Sequence, residues 1–330
     1  MGWAGMLSVF RAVLAAVIVA PGVAAARPAD DDSAPTAIVL PRFDSEGVAA
    51  GEPLAEPDPP ATGPVDPLQP ITPERPGLSF GDRVGKVKWE LVGALGVLTY
   101  TNVNMLHGET KRFHFVNEGY FGRDAAQVGL DKLAHAWNGY VFTDVLYKRM
   151  ARKTGGGAKT AWTAAALGMG LQTYGEIFDG FHKGGGFSWQ DMGFNAAGVG
   201  FSVARHMVPG LADKLDYRTY FVPVNRPEGL GDPDRFEKQR FLFAVKGSGF
   251  AGVRRTPLRF AELHLGYRGR NFSATDRQVG LVPERRLFVG VGLNVAELFR
   301  GRTGPVASVA RAGLEYFQPP YTSIHADVTR

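Results

Sequence analysis

The fold is decided by two segments, DKLAHAWNGY (131–140) and GEIFDGFHKGGGFSWQDMGFNAAGVG (175–200), which are joined by an Ala- and Gly-rich apolar run. Pairs of polar residues three or four positions apart interrupt these apolar segments: Asp131 with His135, Glu176 with Asp179, and Asp191 with Asn195. On a helix, each of these spacings places both side chains on one face. Because a buried polar group without a partner is costly, we expect the three pairs to meet in one cluster inside a helical bundle.

Around these segments the apolar spacing predicts four helices, at 87–106, 130–150, 160–178 and 188–208. Glycines 155–157 end the second helix and Pro209-Gly210 ends the fourth, while Ser188 with Asp191 resembles a capping box at the start of the fourth. Small residues recur through the last two helices and predict close helix crossings. Soluble and membrane-embedded bundles both use such crossings, and the polar groups in each segment favour a soluble bundle.

The chain after Asp216 has the alternating pattern of β-strands. Strands are predicted at 240–246, 259–267 and 287–295, with a weaker fourth at 309–317, and the period of two indicates an antiparallel sheet with one covered face. The predicted fold is therefore α+β. A four-helix bundle-like core (79–215) is followed by a small C-terminal antiparallel sheet (216–330) packed on or beside it.

Within the first 78 residues we predict two segments that are not part of this fold. Residues 1–26 combine Arg11, the apolar run AVLAAVIVA and the small residues VAAA, which is typical of a signal peptide. Residues 27–78 contain 12 of the 22 prolines and carry a net charge of about −7. A segment with so little apolar surface cannot offset its ordering entropy, so a disordered Pro-rich linker is expected.

The amino-acid composition indicates where the protein is located and which classes of partner it can bind. The chain contains no cysteine, which excludes a thiolate metal site, a thiol nucleophile and a lipoprotein cysteine. We therefore expect an exported protein of the periplasm or a membrane surface. Residues 79–330 carry a net charge of about +11, which suits anionic membrane lipid, lipopolysaccharide or an acidic envelope glycan. Nucleic acid is not expected as a partner in that compartment.

The polar cluster leaves three interpretations open. The first is structural: the side chains pair with one another and fix the helix packing. The second is a divalent metal site for zinc or manganese, with Asp131 orienting the imidazole and with four candidate ligands: His135, Glu176, Asp179 and Asp191. The third is metal-free acid–base catalysis, for which the candidate catalytic residues are Asp131, His135, Glu176, Asp179, Asp191 and Asn195. The spacing matches neither HExxH nor the Glu-x-x-His pattern of di-iron bundles. His182, in a glycine loop beside the cluster, is either a mobile ligand or a solvated loop residue.

The order D-K-x-x-H (131–135), E-x-x-D-G (176–180) and S-x-x-D-x-x-x-N-x-x-G (188–198) resembles the YfiM-like family of predicted periplasmic lipoproteins of unknown function. The segments LHLGYRGRNF and RRLFVGVGLNVAELF extend the likeness, which covers roughly 85–330. By this resemblance the family's motif positions are Asp131, Lys132, His135, Glu176, Asp179, Gly180, Ser188, Asp191, Asn195 and Gly198. D-K-x-x-H and D-x-x-x-N are also similar, more loosely, to VanZ-like membrane proteins. The family name implies a lipid anchor, and the missing cysteine departs from it.

Two functions follow as expectations. One is a non-catalytic envelope protein in the periplasm or associated with a membrane, since no catalytic motif is complete. The alternative is a metal-assisted hydrolase that acts on an envelope lipid or glycan.

Overall fold

A computed structural model describes residues 72–106, 110–222, 235–302 and 304–329. The predicted signal peptide and nearly all of the predicted linker lie outside these residues. The last part of the linker, 72–78, lies on the helices: the Glu74 carboxylate accepts a hydrogen bond from the Thr160 backbone N–H (2.9 Å) and pairs with Arg83 (3.0 Å). A carboxylate at a helix N-terminus satisfies backbone N–H groups that have no partner inside the helix.

All four predicted helices are present, with ends within four residues of the prediction, and the described residues form four further, shorter helices. In chain order the α-helices are α1 (Phe80–Lys86), α2 (Lys88–Leu106), α3 (Leu130–Thr154), α4 (Ala158–Asp179), α5 (Trp189–Met207), α6 (Leu211–Lys214), α7 (Ala274–Gln278) and α8 (Pro305–Leu314). Helix α3 lies at the centre of the bundle and packs on both α4 and α5, whereas α2 packs mainly on α4. The Ser188 hydroxyl accepts the backbone N–H of Asp191 (3.2 Å), so Ser188 caps α5. The expected capping box is incomplete, because the Ser188 backbone N–H points to Glu176 and not to Asp191.

A six-stranded sheet follows the bundle, in the order β7-β3-β4-β5-β6-β8. Its strands are β3 (Leu215–Phe221), β4 (Gln239–Lys246), β5 (Ala261–Arg270), β6 (Glu284–Leu293), β7 (Phe317–Gln318) and β8 (Ser323–Asp327). All neighbours are antiparallel except the parallel pair β3 and β7. A separate short parallel pair joins β1 (Phe115–Val116) to β2 (Phe187–Ser188). The predicted α+β fold, with a helical core and a C-terminal sheet, is confirmed.

Two details of the predicted sheet are corrected. Residues 309–317 were expected to form a strand, but most of them belong to α8, which starts at Pro305 and is rich in alanine, the strongest helix former. Strand β3 was not predicted, because Asp216 and Arg218 break its apolar pattern. Both side chains are buried and pair with each other at 2.5 Å, so charged residues occupy a strand interior.

On β5 the sheet buries its polar face, and on β6 the same face carries the buried Phe288. Glu262 and His264 are buried, whereas Leu263 and Leu265, which alternate with them, are 62% and 54% exposed. The sheet is strongly curled, since His325 on β8 contacts both His264 on β5 and Tyr220 on β3. The buried face lies inside this curl.

The bundle and the sheet share one core. It joins α3 to β3 and β4 and to the residue before β7, and its aromatic members include Trp137, Tyr140, Tyr217, Phe241 and Tyr316. The Tyr140 ring meets the Tyr316 ring edge to face at 5.6 Å. A second core lies within the helices, between α2, α3 and α4.

Candidate functional site

A close crossing of α3 and α5 brings the polar pairs together. An added Cβ on Gly198 of α5 would lie 1.8 Å from the Ala136 carbonyl oxygen, and one on Gly139 of α3 would lie 2.5 Å from the Asn195 carbonyl oxygen. Only glycine permits such a backbone approach. With the helices this close, the first turns of α3 and α5 face each other beside the last turn of α4.

His135 lies at the centre of the cluster between carboxylates on both sides. Its Nδ1 is 3.3 Å from Glu176 Oε1 and 3.3 Å from Asn195 Oδ1. Its Nε2 is 3.7 Å from Oδ1 of Asp131 and 3.7 Å from Oδ1 of Asp191. Asp131 and His135 are partly exposed, whereas Glu176, Asp191 and Asn195 are buried. The cluster therefore has one open side, at the start of α3.

Lys132 supplies a second cation inside the cluster. Its side chain is fully buried, and its Nζ lies 2.6 Å from Asp191 Oδ1 and 3.1 Å from Asp131 Oδ2. It also donates to the carboxylate of Glu118, which comes from the loop that crosses the bundle before α3. One buried ammonium group therefore contacts three carboxylates.

Two side-chain amides, those of Gln172 and Asn195, also belong to the cluster. Gln172 on α4 donates from Nε2 to Asn195 Oδ1 at 2.7 Å. Gln172 lies one helical turn before Glu176, so both side chains lie on one face of α4. The Ser188 backbone N–H lies 3.5 Å from Glu176 Oε2. Helix α4 thus contributes both a carboxylate and an amide.

Burial and the neighbouring charges raise the pKa values of His135 and Glu176 and lower that of Asp191. Burial opposes the charged imidazole of His135, but the negative charges around it outweigh burial and raise its pKa to about 9. Burial raises the pKa of Glu176 to about 8, although His135 opposes the shift. The pKa of Asp191 is lowered, because His135 and Lys132 outweigh its burial. His135 is therefore protonated at neutral pH.

The structure brings most of the predicted residues together. Asp131, His135, Glu176, Asp191 and Asn195 meet directly, and the charge of Asp179 acts on His135. His182 lies in the turn after α4, where its backbone pairs with Thr110.

Sequence reasoning from the residues did not identify three members, Glu118, Lys132 and Gln172. Lys132 entered only through the family resemblance. The four-residue spacing from Gln172 to Glu176 was a usable signal, whereas Glu118 lies in a loop without periodicity.

The geometry offers a metal ion a ligand set that differs from the expected one. Donor atoms of Asp131, His135 and Asp191 lie within 4.8 Å of one another. They meet at Nε2 of His135, while Glu176 lies at Nδ1 on the opposite side of the ring. One imidazole nitrogen binds one ion, so an ion at Nε2 would have Asp131 as a ligand, and Glu176 would be the carboxylate that orients the ring.

The loop before α3 (110–129), which we call the covering loop, carries aromatic side chains that pack on the turn after α4 and on the start of α5. Strand pairing of β1 with β2 places Phe115 against Phe187 and Trp189, with ring centroids 5.4 and 6.2 Å apart. Phe115 and Trp189 are exposed, and Phe113 packs between Phe115 and Phe181. Across the stretches 72–106, 110–222, 235–302 and 304–329, no helix combines the length and the apolarity needed to cross a membrane.

The cluster combines three segments: the loop with Glu118, the Asp-Lys-x-x-His turn of α3 and the capped start of α5. Residues 117–207 match the family described as predicted periplasmic lipoprotein (DUF2279). The YfiM-like resemblance is thereby confirmed over this segment. The matched DUF2279 segment contains every residue of the cluster and ends before the sheet. Comparisons with curated proteins and with solved structures found no significant match.

Proposed function

We propose that this is an exported protein of the cell envelope with a non-catalytic role, in the periplasm or on a membrane that faces it. In this proposal the cluster fixes the packing of α3, α4, α5 and the covering loop. The supporting observation is the fully buried ammonium group of Lys132, which contacts Glu118, Asp131 and Asp191. The family's description as periplasmic supports the location.

The cations of the chain itself compensate the buried carboxylates of the cluster. Buried carboxylates need a cation or a proton, and burying a charge without a partner costs several kcal/mol. Lys132 and the protonated His135 meet that need from within the chain. A divalent ion bound to Asp131 and Asp191 would lie beside the ammonium group, and the two would repel each other.

Metal-free base catalysis by His135 has less support. A general base must be unprotonated at the working pH. The surrounding carboxylates raise the pKa of His135 to about 9, so the ring holds its proton near neutrality. The same charges suit His135 as a permanent counterion.

A metal-assisted hydrolase of an envelope lipid or glycan is the second candidate. It is favoured by the convergence of Asp131, His135 Nε2 and Asp191 on the open side of the cluster. One imidazole and two carboxylates suit zinc or manganese, and a bound ion of this kind would lower the pKa of a coordinated water. Glu176 at Nδ1 would orient the ring.

Melting temperatures with and without excess zinc or manganese separate the two candidates. The proteins to compare are the wild type, His135→Ala, Asp191→Asn and the control Asp124→Asn, which alters an exposed carboxylate in the covering loop. If the cluster is structural, His135→Ala and Asp191→Asn each leave a buried group without its partner and lose about 1–3 kcal/mol of stability. The metal then leaves every melting temperature unchanged.

The opposite outcome identifies a metal site. Stabilisation by a bound ion grows with the logarithm of its concentration over its dissociation constant. A metal-dependent rise in the melting temperature of the wild type and of Asp124→Asn, absent in Asp191→Asn, would overturn the structural proposal.

A further inference from the structure

The outer face of the sheet carries a continuous apolar surface over β5, β6 and β8, which we call the sheet patch. Its members are Leu263, Leu265, Leu287, Val289, Val291, Leu293 and Ile324, with exposures between 42% and 78%. Strand register places Leu263 opposite Val291, Val291 opposite Ile324, and Leu265 opposite Val289. Side chains directly opposite each other are in contact range, so these residues form one surface. Exposed apolar patches of this extent mark interaction sites.

The bundle covers the rest of this face and leaves the sheet patch open. Tyr217 and Phe241 on β3 and β4 are buried against the helices, and Phe201 of α5 meets Phe243 of β4 at 5.6 Å. The opposite face of the sheet, inside the curl, holds a buried charged network and a small apolar core of Tyr220, Leu242, Ala244 and Phe288. The apolar residues of β5 and β6 therefore stay on the outer face, where the described part of the chain leaves them exposed.

One end of the sheet patch is strongly basic. The segments 250–260 and 294–302 lie where β5 begins and β6 ends, and they carry five arginines: Arg254, Arg255, Arg259, Arg300 and Arg302. The only acidic residue in these two segments, Glu297, is buried and pairs with Arg300 at 2.6 Å. Exposed Phe250, Leu258 and Leu298 lie among the arginines.

We infer that the sheet patch and its arginine end bind the surface of an anionic phospholipid bilayer. Guanidinium groups bind phosphate in bidentate fashion, and aliphatic side chains enter the boundary between headgroups and acyl chains. A second copy of this chain would cover the apolar residues but would leave the arginines without anions. The inference rests on the membrane-associated form of the proposed function and is independent of whether the cluster binds metal.

Co-sedimentation of the full chain with vesicles tests the inference. The vesicles are pure phosphatidylcholine or an equal mixture of phosphatidylcholine and phosphatidylglycerol. The test variant replaces three residues that are more than half exposed, as Leu263→Ser, Leu265→Ser and Val291→Thr. The matched control replaces three apolar residues on α2 that are also more than half exposed, as Trp89→Ser, Val92→Thr and Tyr100→Ser. A third variant, Arg255→Gln with Arg300→Gln, removes charge alone. Unchanged far-ultraviolet circular dichroism confirms that each variant is folded.

We expect the wild type and the α2 control to bind the anionic vesicles. The sheet variant should bind roughly tenfold more weakly or worse, since tenfold corresponds to about 1.4 kcal/mol and each aliphatic side chain contributes about that much when buried. The arginine variant should lose the preference for phosphatidylglycerol. These results together support the inference.

Three outcomes overturn it, each with a different meaning. If the α2 control loses binding and the sheet variant keeps it, the membrane contact lies on α2 and membrane association stands. If the wild type binds neither vesicle, membrane association fails too, while the structural role of the cluster is judged by the melting experiment alone. If sedimentation velocity without vesicles shows a wild-type dimer that the sheet variant converts to a monomer, a second copy covers the sheet patch.

Discussion

At the scale of single residues, the structural role proposed for the cluster rests on Lys132. Lysine is seldom fully buried without paired charges, and here its ammonium group lies among three carboxylates. The surrounding charges outweigh its burial and raise the pKa of Lys132, so it stays cationic. Removing a buried cation from such a group leaves charges that nothing compensates.

Lys132→Met should therefore lower the free energy of unfolding by about 3–5 kcal/mol. The control is Lys153→Met, which removes a lysine that is 44% exposed and 3.2 Å from Glu90. A surface pair of this kind contributes at most about 1 kcal/mol. Denaturant unfolding monitored by circular dichroism measures both changes. Equal losses in the two variants would show that the cluster does not depend on Lys132.

The protonation of His135 predicts how stability depends on pH. The pKa of His135 in the folded chain is raised to about 9, so its contribution is fully present below about pH 6.5 and is lost as pH rises through 9. The raised pKa of Glu176, about 8, acts in the same direction. We expect the free energy of unfolding to fall between pH 6.5 and 9, and His135→Gln to flatten the decline above pH 8. A stability that rises over this range in the wild type would contradict the assignment.

At the scale of elements, the crossing of α3 and α5 depends on Gly139 and Gly198. Of the small residues expected to permit close packing, Gly198 and Gly168 face neighbouring helices, whereas an added Cβ on Gly170, Gly193 or Gly200 would meet nothing within 4 Å. The spacing of small residues alone did not distinguish the two groups. The packing of the helices determines which of these glycines face a neighbouring helix.

Gly198→Ala and Gly200→Ala form a matched pair on α5. The new methyl group at Gly198 would overlap the Ala136 carbonyl oxygen, so the helices must separate, and we expect a loss of about 1–3 kcal/mol or more. Gly200 is exposed, and alanine there should gain up to about 1 kcal/mol from helix propensity. Thermal unfolding measures both. A neutral Gly198→Ala would show that the crossing is looser than described.

At the scale of the whole molecule, a chain of ion pairs joins the bundle to the sheet. Arg205 on α5 lies 3.1 Å from Asp216 on β3, and Arg218 continues the chain to Glu262 on β5 at 2.8 Å. On the other side, Lys148 of α3 bridges Asp144 and Glu315. Together with the shared aromatic core, these contacts make the helices and the sheet energetically dependent on each other.

We therefore expect the full chain to unfold in one cooperative transition. Differential scanning calorimetry should show a single endotherm, and a chain truncated after Lys214 should show no cooperative transition. The truncation removes Tyr217 and Tyr316, whose rings pack on the buried Tyr140. Two separate endotherms, or cooperative melting of the truncated chain, would show that the bundle and the sheet are independent domains.

The sequence by itself determined the four long helices and the meeting of their polar pairs in one cluster. Helix periodicity placed α2 to α5 to within a few residues, because one face of each segment is apolar and glycine or proline ends it. Polar residues three or four apart on apolar segments predicted that His135 and its carboxylates meet, because buried polar groups require partners.

Only the tertiary structure decided which groups compensate which charges and which sheet face is covered. Glu118 reaches Lys132 from a loop, and a loop has no period from which its direction can be read. The alternation in β5 and β6 separated Leu263 and Val291 from Glu262 and Gly292, but it could not say which set faces the protein. The curl of the sheet and the pairing of Glu262 with Arg218 on another strand made the polar set the buried one. Contacts between residues far apart in the chain carry that information, and local periodicity does not.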